Sequence, residues 1–105
     1  MVVLIKLQRS SRSEKKYMVT FDREKGRKKT VHFGQASASD FPTHKDVQRR
    51  EWYLDRHRER EDWGGSGVET AGWWSRWLLW NRKSIAASLA DIRKNRLPTG
   101  YKLLR

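Results

Sequence analysis

The chain has 105 residues, 36% hydrophobic and 34% charged, and a net charge of +12 from 24 Lys and Arg against 12 Asp and Glu. That length fits one domain with a small core, and the charge calls for polyanions or acidic protein surfaces as partners. Cysteine is absent, which excludes disulfides and thiolate metal sites, and no run approaches the roughly 20 apolar residues that a membrane-spanning helix needs.

In chain order, residues 1–8 (MVVLIKLQ) are apolar and β-branched and predict a strand, paired at a sheet edge or with another chain. The polar RSSRSEK predicts a loop. Tyr17, Val19 and Phe21 then alternate with Met18 and Thr20, DREKGRKK supplies a connection, and Val31 and Phe33 resume the alternation. Residues 15–34 therefore predict a β-hairpin whose apolar face must pack on something. After the loop QASASDFPTHKD, Thr43 fits an N-cap with Asp46 three residues on, an approximate capping box. The helix it opens should run from about His44 to Asp62, its exposed face laced by pairs such as Asp46–Arg50 and Arg58–Asp62. GGSG at 64–67 predicts a flexible link. Thr70 caps a second helix that reaches Trp80 and closes at Asn81. Ser84 caps a third, with Ile85, Leu89 and Ile92 at helical spacing. Pro98 and Gly100 end it. The expected fold is α+β: a small single domain at 15–95, a β-hairpin packed on two or three helices, with an N-terminal arm at 1–14 and a C-terminal tail at 96–105.

The second helix holds four of the six tryptophans. At 100° per residue, Trp73, Trp77 and Trp80 share one face, and Trp74 and Leu78 the next. A helix apolar nearly all round wants burial nearly all round. It is either the aromatic core of the domain or a surface for another protein, where indoles are enriched. The expectation carried forward is that Trp73, Trp74, Trp77 and Trp80 bind a partner.

Reaction chemistry finds no support. The histidines are His32, His44 and His57, with no HExxH and no pair one helical turn apart. GxSxG, P-loop and GxGxxG motifs are absent. The carboxylates of RHREREDW alternate with arginines, as on a solvated helix face. No catalytic residue, metal or cofactor is expected, and His44, Asp46, Arg56 and His57 read as a structural motif. The basic patch expected to meet a partner is Arg23, Lys25, Arg27, Lys28 and Lys29 at the hairpin tip, with Arg9, Arg12, Lys15 and Lys16 nearby in sequence. A basic ribbon of this kind can straddle phosphates.

Together, KKYMVTFDREKGRKKTVHFG, DFPTHKD, RREWYLDRHRERED and TAGWWSRWLLWN followed by SIAASLADI resemble a family of short, basic, uncharacterised proteins of large nucleocytoplasmic DNA viruses. The pattern is Phe33-Gly34, then Thr43, His44 and Asp46, then Arg56-His57, then Thr70-Ala71-Gly72, then Leu79-Trp80-Asn81, over about residues 15–95. The resemblance implies a viral protein without an established activity. Such viruses build capsids from a jelly-roll major protein cemented by small minor ones. The expectation is a virion structural protein, a minor capsid protein on the inner side of the shell. It would bridge capsomers by contacts with the major capsid protein and other minor capsid proteins. Acidic lipid headgroups or DNA would meet its basic patch, and its first strand could extend a neighbour's sheet. The alternative is a DNA-binding or genome-packaging protein that uses the same basic hairpin.

Overall fold

The computed structural model describes residues 2–23, 25–26 and 28–104. Four strands form one sheet: β1 (Val3–Arg9), β2 (Lys15–Arg23), β3 (Lys29–Gln35) and β4 (Tyr101–Leu103), in the order β3-β2-β1-β4. β2 lies antiparallel to both β1 and β3, and β4 lies parallel to β1. The register sets Ile5 opposite Phe21 and Leu103, Leu7 opposite Val19, and Phe33 opposite Tyr17. With a side-chain period of two, the odd-numbered residues of all four strands share one face. Ile5, Val19, Phe21 and Phe33 on that face are fully buried under the helices. Lys6, Gln8, Thr30 and Lys102 on the other are exposed. The fold is α+β in a single domain, and the expected hairpin is its β2–β3 half.

The two ends of the chain complete the sheet. Residues 1–14, expected as an arm, supply β1, and residues 96–105, expected as a tail, supply β4. Val3, Ile5 and Leu103 belong to the core. β1 is therefore an interior strand over Val3–Ile5, with β2 and β4 on either side, and pairs with β2 alone beyond it.

The described residues also form four short helices, α1 (Phe41–His44), α2 (Val47–His57), α3 (Ala71–Trp74) and α4 (Ile85–Asp91), of which α3 and α4 join the core on the sheet's apolar face. The long first helix expected from His44 to Asp62 is instead the shorter α2, and the separate turn of α1 precedes it. Thr43 donates its hydroxyl to Asp40 Oδ1 at 2.9 Å, Lys45 takes a left-handed conformation (φ 56°), and Asp46 becomes the N-cap of α2, accepting from the amides of Gln48 and Arg49. Thr70 and Ser84 cap α3 and α4 as the sequence predicts, accepting from the amides of Trp73 and Ala87. GGSG is no loose link. Residues Gly65–Gly67 form a 3-10 turn tied to Asp62, whose carboxylate accepts from the Gly64 amide and the Ser66 hydroxyl. A side chain at Gly67 would collide with the Asp62 carbonyl.

Helix α3 runs on into a π-helical turn, Ser75–Leu79, and α4 into another, Ile92–Arg96. In the first, the Trp80 amide bonds the Ser75 carbonyl at 3.1 Å, five residues back. The buried residues follow that wider period: Trp73, Trp74, Leu78 and Leu79 repeat at five, where a 100° wheel groups Trp73 with Trp77 and Trp80. No helix among the described residues is long and apolar enough to cross a membrane.

Candidate functional site

The tryptophans expected at an interface are largely spent inside the fold. Trp73 and Trp74 are fully buried. Trp74 packs against Phe33 at 6.2 Å between centroids, and its Nε1 donates to the Val68 carbonyl at 2.7 Å. The four residues therefore do not form one partner surface, because β1, β2 and β3 present enough apolar area to bury the first two. Trp77 is half-buried, its Nε1 donating to the Trp63 carbonyl at 2.9 Å, with the guanidinium groups of Arg76 and Arg96 at 4.1 and 4.0 Å from its ring. Burial first, and then the charges of Arg50 and Arg96, push the Arg76 guanidinium down to about 10, so it stays charged at neutral pH. Trp80 is half-buried, stacked on Tyr53 at 4.3 Å with the planes 4° apart.

The hairpin tip is also less free than its sequence suggests. Arg23 pairs with Glu69, Lys29 approaches the same carboxylate at 3.8 Å, and Lys28 lies 3.6 Å from Asp22. Lys25 is exposed, and Arg27 lies outside the described residues. Sequence reading counts cations along the strand, whereas the fold brings Glu69, forty-odd residues downstream, into their midst.

Several cations without a carboxylate partner among the described residues lie together at the other end of β2. There α2, the loop that follows β3, and the start of α3 enclose a cleft of about 670 Å³. Lys15, Lys16, Arg49 and Arg56 line it with Trp52, Tyr53, His57 and Trp80, and its acidic residues are Asp40 and Glu61. Both acids are engaged. Asp40, buried at the start of α1, pairs with Lys16, whose Nζ also donates to the Ala38 carbonyl at 2.6 Å. Glu61 accepts from Trp63 Nε1 at 3.0 Å and faces His57 Nδ1 at 3.4 Å. Lys15, Arg49 and Arg56 have no carboxylate within 4.0 Å among the described residues. A second hollow, of about 570 Å³, adjoins the cleft through Lys15, Lys16 and Asp40 and adds Arg9, Arg12 and Tyr17.

An aromatic ladder stiffens the cleft wall. His57 stacks on Tyr53 at 4.2 Å and Tyr53 on Trp80, while His44 abuts Trp80 at 5.4 Å. Burial, then the nearby Arg49 charge, lowers the His44 pKa, so this ring sits neutral against the indole. Burial, then the Glu61 charge, raises that of the Tyr53 hydroxyl. Trp52 stands outside the ladder at 55% exposure. Two glycines let the walls close. Gly34 has φ 79°, and a Cβ there would lie 2.7 Å from Leu79 Cδ1; one at Gly72 would lie 2.7 Å from the Glu61 carboxylate.

Of the residues singled out from sequence, Arg56, His57 and Trp80 meet in this cleft, with Phe33, Gly34, Ala71, Gly72 and Leu79 of the resemblance pattern. Asp46 and His44 hold the near end of α2. The sequence places Lys15 only beside the hairpin patch and gives Arg49 and Trp52 no expected site role. The available signal was Arg49, Trp52 and Arg56 at spacings of three and four, which one helix face presents together. Among the described residues no group of three His, Asp or Glu gathers as a metal site would. The arrangement can hold anionic and planar groups.

A family model described as a family of unknown function (DUF5754) matches residues 5–57. That segment spans β1, β2, β3, α1 and α2, and so carries the cationic residues of the cleft. No curated protein and no solved structure matches the chain.

Proposed function

The chain belongs to the DUF5754 family of unknown function, and we propose that it is a nucleic-acid-binding protein that holds the phosphate backbone in the cleft beside α2. The observation that carries this reading is the concentration of Lys15, Arg49 and Arg56, uncompensated among the described residues, in one recess of a chain with a net charge of +12. Cations so placed displace the counterions of a polyanion, which supplies most of the affinity in sequence-independent binding. The exposed Trp52 indole in the cleft lining adds a planar surface of the kind that nucleic-acid binders use. This is the DNA-binding role that the basic hairpin suggests, with its contact surface moved from the hairpin tip to the opposite end of β2, roughly 25 Å away at the rise of a strand.

A capsid-bridging role drew its anchors from the four indoles of the second helix. With Trp73 and Trp74 buried in the chain's own core, no observation favours that role over the cleft.

Charge substitution tests the reading. The triple variant Lys15→Gln, Arg49→Gln and Arg56→Gln should bind a labelled oligonucleotide at least tenfold more weakly at low salt, because each lost phosphate contact weakens binding. A control variant, Lys25→Gln with Lys28→Gln, should bind nearly as the parent does. No binding by the parent at low salt, or a loss confined to the tip variant, would overturn the proposal.

A further inference from the structure

We infer that the nucleic acid this cleft accepts is single-stranded, with one base stacked on Trp52; the inference rests on the nucleic-acid reading above. Trp52 is 55% exposed, whereas Trp73 and Trp74 are fully buried and Trp77 and Trp80 are packed against the core. Among the described residues it has no aromatic or cationic partner, while Tyr53, His57 and Trp80 beside it are already stacked on one another. Its ring is therefore a free planar surface at the mouth of the recess.

Cations flank that ring along α2, and Asp55, three residues after it, is paired with Arg58 at 3.5 Å. Arg49 stands three residues before it on α2 and Arg56 four after, so all three share a face, with one cation about a turn to either side of the indole. A base lying on Trp52 would carry its flanking phosphates toward Arg49 and Arg56. In a duplex the base faces are stacked internally and only edges and phosphates are presented, so an indole among cations gains nothing unless a base is free. Stacking on an aromatic ring also tolerates any base, because each has a π-face.

Shape argues against a duplex in the same place. Groove readers are convex, a helix or ribbon entering a groove about 12 Å wide, whereas this site is a recess. The adjoining hollow with Arg9 and Arg12 continues the cationic path along which a single strand can run.

The test compares a short oligothymidylate with a duplex of equal length, at one salt concentration, against the parent chain, Trp52→Ala and Trp52→Phe. The single strand should bind tighter than the duplex. Trp52→Ala should weaken single-strand binding roughly 5- to 150-fold and leave duplex binding unchanged, and Trp52→Phe should recover part of the loss. The salt dependence of Trp52→Ala should equal the parent's, since no phosphate contact is removed. If Trp52→Ala lowers the melting temperature, Trp52→Phe, which keeps a ring, carries the comparison. Equal affinity for strand and duplex, or no loss on removing the ring, overturns this inference and leaves nucleic-acid binding standing. Binding of neither overturns both.

Discussion

Asp91 shows how a single buried residue holds one end of this fold. Its carboxylate accepts from Asn81 Nδ2 at 2.7 Å, Asn95 Nδ2 at 2.8 Å and Arg96 Nε at 3.0 Å, with Arg82 at 3.4 Å. Burial alone would raise its pKa, but the bonds from Asn95, Asn81 and Arg96 outweigh burial and hold it below the usual carboxylate range. In the unfolded chain it titrates near about 3.9, so in acid the unfolded state takes up the proton first. The stabilisation is complete above about pH 5 and is lost as pH falls through the unfolded value toward the folded one. Asp91→Asn should cost about 1–3 kcal/mol at neutral pH, because an amide cannot accept all the bonds from Asn81, Asn95 and Arg96 that the carboxylate accepts, and its denaturation midpoint should fall less between pH 5 and pH 3 than the parent's. The two core indoles make a second contrast. Trp74→Phe removes a bond and strands the Val68 carbonyl, at about 1–3 kcal/mol beyond the lost volume. Trp73 Nε1 has no partner among the described residues, so Trp73→Phe should cost less in the same urea titration. That both rings are core was one of two readings open in the sequence. The choice turned on a π-helical period, which no local residue signal announces, because an inserted turn arises from the packing it serves.

At the scale of elements, local chemistry was legible and long-range pairing was not. The caps at Thr70 and Ser84, the alternation of β2 and β3, and the apolar spacing of α4 could be read directly. The Thr43 cap could not, because Asp46 competes three residues on and wins once Lys45 turns left-handed. The interior place of β1 depends on β4, and the two sit at opposite ends of the chain, paired only through the folded sheet. Two substitutions test the element boundaries. Asp46→Ala should destabilise the protein by about 1 kcal/mol and Asp46→Asn by only a few tenths, since asparagine also caps a helix. Gly34→Ala should cost about 1–2 kcal/mol from its left-handed backbone alone, and more if Leu79 cannot move aside. Thermal unfolding of each variant reads these differences.

At the scale of the whole molecule, charge and shape decide the function. Residues 1–34 hold 10 basic and 3 acidic side chains and residues 64–105 hold 8 and 2, while 35–63 hold 6 and 7. The sequence therefore showed a basic protein with a balanced middle, and the hairpin run was its most conspicuous basic segment. Folding reverses that emphasis. Glu69 and Asp22 draw on the tip's charge, while the nearly neutral middle contributes α2, whose Arg49 and Arg56 face Lys15 across a cleft with few acids. Composition could not show this, because it depends on which opposite charges the sheet and helices bring together. The most direct measurement is the slope of log affinity against log salt for single-stranded DNA, taken for the parent chain and for the triple Lys15→Gln, Arg49→Gln, Arg56→Gln variant. The cleft account predicts a steep parent slope that becomes shallower by about 2 in the variant, from three lost contacts at roughly 0.7 each. Equal slopes in the two proteins, or a parent affinity indifferent to salt, would contradict it.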